Sequence, residues 1–362
     1  MLTAIVFIVA LGILVLVHEF GHFWVARKFG IRVEEFGFGF PPRLAEITKH
    51  GVRYSFNLLP LGGFVKIFGE QGEEENNPFS FASRPAWQRF SVLVAGVLMN
   101  VLLAWFLFSL VAGIGTPTAV DSPADAAGVQ NLRVAIVGVA PQSPADHAGL
   151  RFGDAILRLG TPDNTEALSS ITVDGVQKFT DAHAGKEILI TVLRGKEEKN
   201  FLVLARKNPS QNEGAMGIML SWVGIARSSW FAAPVEGLKH LWSSFLETVL
   251  GLYYLFYDLF TTGRFQGDIS GPVGIFMLSG EVWTLGISYF LQLIGILSLN
   301  LAILNALPFP ALDGGRMFFL AIEKIKGSKV DQSVEHAIHT VGFILLIMLM
   351  VAITYRDIAR LF

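Results

Sequence analysis

Apolar positions concentrate in four runs long enough to cross a bilayer, for which about 20 residues are needed. They cover 2–26, 90–115, 286–309 and 339–355. Between the second and third runs, 116–227 is more polar and alternates strand-like pieces with turn signals, a domain of ordinary size. A further segment, 240–262, is aromatic-rich and apolar but carries Glu247 and Asp258. It reads as a fifth span or as an amphipathic helix lying at the interface. The pattern predicts a polytopic α-helical membrane protein with an inserted α+β domain. Its parts are 1–115 with two spans, the domain 116–227, a helical segment 228–284, and 285–362 with the last two spans.

Composition supports that pattern. The chain of 362 residues is 52% hydrophobic and 16% charged, against about 25% charged in ordinary soluble domains. Its mean hydropathy is +0.51. A net charge of −2 gives no sign of a nucleic-acid partner. Zero cysteine excludes disulfides, iron–sulfur clusters and thiolate metal sites, so any metal must be held by His, Asp or Glu. The first run lacks a basic leading region and a clear small-residue cleavage site, so it is expected to be retained as a span rather than removed as a signal peptide.

Lys and Arg in short loops set orientation. They are frequent in 27–89 (Arg27, Lys28, Arg32 and Arg43 among them) and in 316–338 (Arg316, Lys324, Lys326, Lys329). Both loops are expected on the cytoplasmic side, with the 116–227 domain and both termini outside. Arg356 and Arg360 work mildly against this assignment.

The chemistry is concentrated in "HEFGH", residues 18–22. On a helix, His18 and His22 share one face, one turn apart, and can grip one ion. Glu19 lies on an adjacent side, placed to act as a base on water. Ionisable groups inside a span are costly and point to function. Two histidines leave a tetrahedral zinc short of a protein ligand, which a carboxylate can supply. Asp313 is the only carboxylate in the third span and its exit, "NALPFPALDGG". Pro308 and Pro310 break the helix before it, and broken backbone at membrane depth is tolerated only where it is buried or lines a cavity. His18 and His22 meet Asp313 only if the first and third spans run the same way. One crossing then separates them, so 240–262 is expected to be interfacial or extracytoplasmic, leaving four spans.

With these residues, "HEFGHFWVARKFGIRVEEFGFGF", "LPLGGFVKIFGE" and "NALPFPALDGG", the chain resembles the site-2 protease family of intramembrane zinc metalloproteases, in its bacterial RseP/RasP-like branch. The resemblance covers nearly the whole chain. It implies one Zn2+ held by His18, His22 and Asp313, with Glu19 as general base, in the cytoplasmic (inner) membrane of a bacterium. It also implies active-site roles for Asn305 and Asn300, in substrate or oxyanion binding. The best-known proteobacterial members are longer and carry two PDZ modules, whereas this chain has room for one. Implied substrates are single-span membrane proteins, such as anti-sigma factors or remnant signal peptides.

In the polar domain, "SPADHAGL" and "GDAIL" look like a bacterial PDZ domain. "GAMGIML", 214–220, would give the last strand and the peptide-binding edge, since such domains bind peptides by strand addition. The alternative is a spacer domain that binds nothing, its groove a size filter rather than a receptor. "GVRYSFNLLPLGGFVKIFGE", 51–70, alternates like a β-hairpin around a Pro–Leu–Gly–Gly turn. The resemblance makes it a membrane-associated element whose edge, near Gly62 and Gly63, pairs with unwound substrate; the alternative is plain packing on the spans. Asn100, in the second span, is either glue between helices or part of the site. "EQGEEENN", 70–77, reads as a solvated loop, and His336 and His339 as surface histidines ahead of the fourth span. The rival functions are a non-catalytic zinc-binding scaffold or chaperone with a peptide receptor, and a metal transporter. Glu19 argues against the first. The lack of an internal repeat argues against the second.

Overall fold

Long apolar sequence without internal proline forms the helices that frame the fold. A computed structural model describes residues 2–70, 76–163, 165–209, 214–262 and 271–359. In chain order come α1 (Leu2–Lys28), β1 (Val33–Lys49), β2 (Val52–Ile67) and α2 (Ala86–Ile114). Then follow β3 (Thr116–Val120), β4 (Val129–Val139), α3 (Pro144–Ala148), β5 (Ala155–Gly160) and α4 (Val173–Ala182). β6 (Glu187–Arg194), β7 (Glu197–Leu204) and β8 (Ile218–Ala226) complete the strands. The chain closes with α5 (Ala233–Thr262), α6 (Pro272–Leu285), α7 (Ile287–Ala306), α8 (Asp313–Lys326) and α9 (Gln332–Ala359). Most of the acidic stretch 70–77 lies outside the described residues, which omit 71–75.

The chain divides into two compact units. The first holds Met1–Ser109, Pro234–Gly280 and Gln292–Phe362; the second holds Leu110–Ala233 and Glu281–Leu291. Among the described residues four helices, α1, α2, α7 and α9, are long and apolar enough to cross a membrane. In the first unit α1 and α2 meet at backbone distance, because a Cβ on Gly21 would overlap the carbonyl of Ala95. Small residues at such a seam are what lets helices associate inside a bilayer.

The β-hairpin differs from its expected form. The turn is at His50–Gly51, where both residues have positive φ (51° and 76°), the backbone that two-residue hairpin loops require. Pro60, Leu61, Gly62 and Gly63 lie within the bounds of β2, at a second reversal of the chain between Phe56 and Gly63. Phe38 pairs with Gly63 and Phe40 with Leu59, so 60–62 bulge out of the ladder. Pro41 and Pro42 interrupt β1 at the same level, since proline has no N–H to give a ladder. The hairpin folds over at these breaks. Glu35–Phe38 is thereby aligned both with Gly63–Lys66 and, running the same way, with Arg53–Phe56. This places the end of β2 along α1: a Cβ on Gly63 would touch Val15 and, at 3.8 Å, the Cγ of Glu19.

α5 packs along its length on other helices. It is not among the helices apolar enough to cross, yet it does not lie across the ends of the spans. His240 contacts Gln292 (3.2 Å) and Thr248 donates to Asn300 (2.9 Å), so α5 and α7 run side by side in the same direction. The cause is a stripe of Leu241, Phe245 and Leu252, which packs on Ala104 and Phe108 of α2 and Leu299 and Ile303 of α7.

The second unit carries an antiparallel sheet in the order β3-β8-β4-β5-β6-β7. Its core is built from Ile136, from Ile156 and Leu159 on either side of a register shift in β5, and from Ile188, Ile190 and Val192 at alternate positions of β6. Asp154 is buried beside it and accepts two hydrogen bonds from Arg194, at 2.7 and 2.6 Å. Those bonds hold the guanidinium pKa above its ordinary value despite partial burial. β8 starts at Ile218 rather than 214 and lies inside the sheet, not at its edge. β3 covers Trp222–Ala226, while 218–221 pair with β4 alone.

Candidate metal centre

His18 and His22 are both buried in α1, and Asp313 opens α8 directly after the turn 308–312. Their ligand atoms converge. His18 Nε2 and His22 Nε2 stand 3.1 and 3.2 Å from Asp313 Oδ2, and 3.2 Å from each other. A tetrahedral zinc with bonds of ~2.0–2.1 Å has ligand–ligand edges of about 3.3–3.4 Å, so the triangle suits that ion. Asp313 Oδ2 is buried and no protein group meets it with hydrogen-bond geometry, which leaves it as an acceptor for a cation. Among the described residues, this is the one cluster of His, Asp and Glu arranged to hold a metal.

Neighbouring groups fix the rings. His22 Nδ1 lies 2.8 Å from the carbonyl oxygen of Val92 and must donate to it, which leaves the Nε2 lone pair for a metal. His18 Nδ1 lies 3.3 Å from the Asn100 side-chain amide, and Asn100 is fully buried. Among the described residues the Asn100 Oδ1 has no hydrogen-bond partner. Turning that amide over presents Oδ1 to the Nδ1–H of His18 and fixes the second ring in the same tautomer. Asn100 therefore faces the site. Gly96, one turn earlier on α2, is what admits the rings: a Cβ there would overlap both His22 Nε2 and His18 Cε1.

Glu19 lines the same cavity, of about 590 Å³, on the side of Gly63 and Phe64. Farther along, the cavity is charged. Arg316 pairs with Glu70, Arg89 donates to Glu323 at 2.6 Å, and Lys329 lies on its wall. Such a wall admits water to the metal-ligating end, which a purely apolar span would exclude.

Other expected site residues stand apart. Asn305 is half-buried in the last turn of α7 and does not line the cavity. Asn300 accepts a hydrogen bond from Thr248 of α5 and does not line it either. Gly62 faces the Phe40 ring, and Gly63 alone of that pair approaches Glu19. The surface reading of His339 is overturned: its Nδ1 accepts the Ala311 N–H at 2.8 Å. α9 begins at Gln332, ahead of the apolar run, so His339 is already helical and turned toward that backbone; His336 is exposed at the cavity mouth. Gly96, Val92 and His339 carry no motif. The only signal for Gly96 is its spacing of four from Asn100, which puts both on one helix face.

Apolar helices joined to a two-histidine, one-carboxylate cluster define a membrane-embedded metalloenzyme. Residues 6–349 match Peptidase family M50. The chain belongs to that family and is a metalloprotease. It is 34% identical over 362 residues to a "Putative zinc metalloprotease" of Fusobacterium nucleatum, covering 100% of both chains. It is 30% identical over 438 aligned positions to zinc metalloprotease RasP of Geobacillus kaustophilus, covering 98% of this chain and 97% of that one. A "Putative zinc metalloprotease" of Clostridium perfringens is 32% identical, with 97% of each chain covered.

Proposed function

We propose that the chain hydrolyses peptide bonds in or near the membrane-spanning segments of single-span membrane proteins, with one zinc held by His18, His22 and Asp313. The observation that carries this reading is the triangle of ligand atoms, 3.1–3.2 Å on each side, with Glu19 in the same cavity. Bound zinc polarises a scissile carbonyl and makes water acidic enough to attack near neutral pH. Glu19 takes the proton from the attacking water and returns it to the leaving amine. Val92 O and the Asn100 amide keep both imidazoles in the tautomer that offers Nε2.

A helical substrate hides its peptide bonds in hydrogen bonds, so it must unwind to be cut. The segment 63–67 of β2 supports a way to do this. It pairs with β1 on one side, and among the described residues no strand pairs with its other side. An extended substrate added to that edge is held beside Glu19 by backbone hydrogen bonds. Asn305 and Asn300 keep a lesser claim as substrate-binding groups, reached after movement of α5 in the case of Asn300.

The 116–227 domain is a single PDZ-like module on the extracytoplasmic side, as are both termini, with the site near the cytoplasmic face of a bacterial inner membrane. The charged cavity wall and the Lys/Arg-rich loops support that orientation. The open edge at 218–221 supports a peptide groove. Anti-sigma factors and remnant signal peptides are the substrates the family likeness favours. The test is cleavage of a single-span substrate by the purified full chain in lipid vesicles. We expect cleavage to stop with a zinc chelator and return with added zinc. Zinc binding without any cleavage would favour the scaffold reading instead.

A further inference from the structure

Asp313 is delivered to the other ligands by a turn with few hydrogen bonds of its own. Pro308 and Pro310 have no N–H, so 308–312 offers only the N–H groups of Phe309, Ala311 and Leu312. Phe309 N–H goes to Leu307 O at 2.7 Å and Leu312 N–H to Phe309 O at 3.2 Å. Ala311 N–H goes to neither neighbour but to His339 Nδ1, 2.8 Å away on α9. Ala311 also has φ +75°, a backbone state disfavoured for any residue with a Cβ. Something outside the turn must hold it there. α9 touches the turn a second time one helical step later, where a Cβ on Gly342 would overlap Pro310. The amide can only donate, so His339 Nδ1 must be the unprotonated acceptor and the ring proton sits on Nε2.

The geometry points to His339 as a positioning residue: from the start of the fourth span it fixes the Ala311 backbone and so aims Asp313 at the metal. The inference rests on the zinc reading above. It makes the fourth span part of the metal site although none of its side chains is a ligand.

The chemistry of the acceptor supplies the test. Asparagine places its Oδ1 near the position of histidine Nδ1; glutamine places its oxygen near Nε2; leucine has no acceptor. Zinc affinity of the purified full chain is measured by competition with a chromophoric chelator, for the unmodified chain and for His339→Asn, His339→Gln and His339→Leu. Asn is expected to stay within about threefold of the unmodified chain, while Gln and Leu weaken zinc by about tenfold or more. Equal affinity in all three variants, whether retained or equally lost, overturns the inference while the zinc reading stands. Absence of zinc from the unmodified chain overturns both.

Discussion

Replacing Glu19 with glutamine is expected to lower peptide cleavage by about 10²–10⁴-fold, the usual contribution of a positioned general base, and to leave zinc in place. Glutamine keeps the shape and the hydrogen-bonding end but cannot take a proton. The separation of the two readouts follows from position. The converging atoms belong to His18, His22 and Asp313. Glu19 instead lies toward Gly63 and the open cavity. The check is metal analysis and cleavage on one preparation. A variant that keeps full activity would remove Glu19 from the mechanism. One that loses zinc along with activity would make Glu19 part of the metal shell.

The second large effect comes from a residue that touches no substrate. Gly96→Val is expected to strip zinc from the chain, because even its Cβ would occupy the space of His22 Nε2 and His18 Cε1. Overfilling a closely packed seam costs about 1–3 kcal/mol in soluble cores, and here the strained atoms are the ligands themselves. Leu98→Val, at an exposed position on the same helix, serves as the control and is expected to keep its zinc. Zinc retained at one per chain in Gly96→Val would mean that the rings are not confined by α2.

The parts of the fold that follow from periodicity and cost were legible in the sequence. Four helices have span-like length and composition, and HEFGH drew attention because charge in an apolar helix is expensive. Asp313 followed from the need for a further ligand at the same depth, and its Oδ2 does converge with the two imidazoles. Features decided by tertiary pairing were not legible. Pro–Leu–Gly–Gly does sit at a reversal of the chain, between Phe56 and Gly63, but the two-residue loop that joins β1 to β2 is at His50–Gly51, where the flanking residues pair in register. The depth at which Asp313 must meet the two imidazoles excluded a fifth crossing, but the Leu241, Phe245 and Leu252 stripe by which α5 packs on α2 and α7 is visible only in the fold. His339 looked like one of two loop histidines. Only the fold shows that its Nδ1 accepts the Ala311 N–H of the turn before Asp313.

The central claim is that these three side chains hold one zinc. X-ray absorption at the zinc edge of the purified full chain tests it most directly. One zinc per chain is expected, with a first shell of nitrogen and oxygen at about 2.0–2.1 Å, two scatterers showing the imidazole pattern, and a changed shell in Asp313→Asn. Zinc that is absent, or whose surroundings are the same in Asp313→Asn, would contradict it.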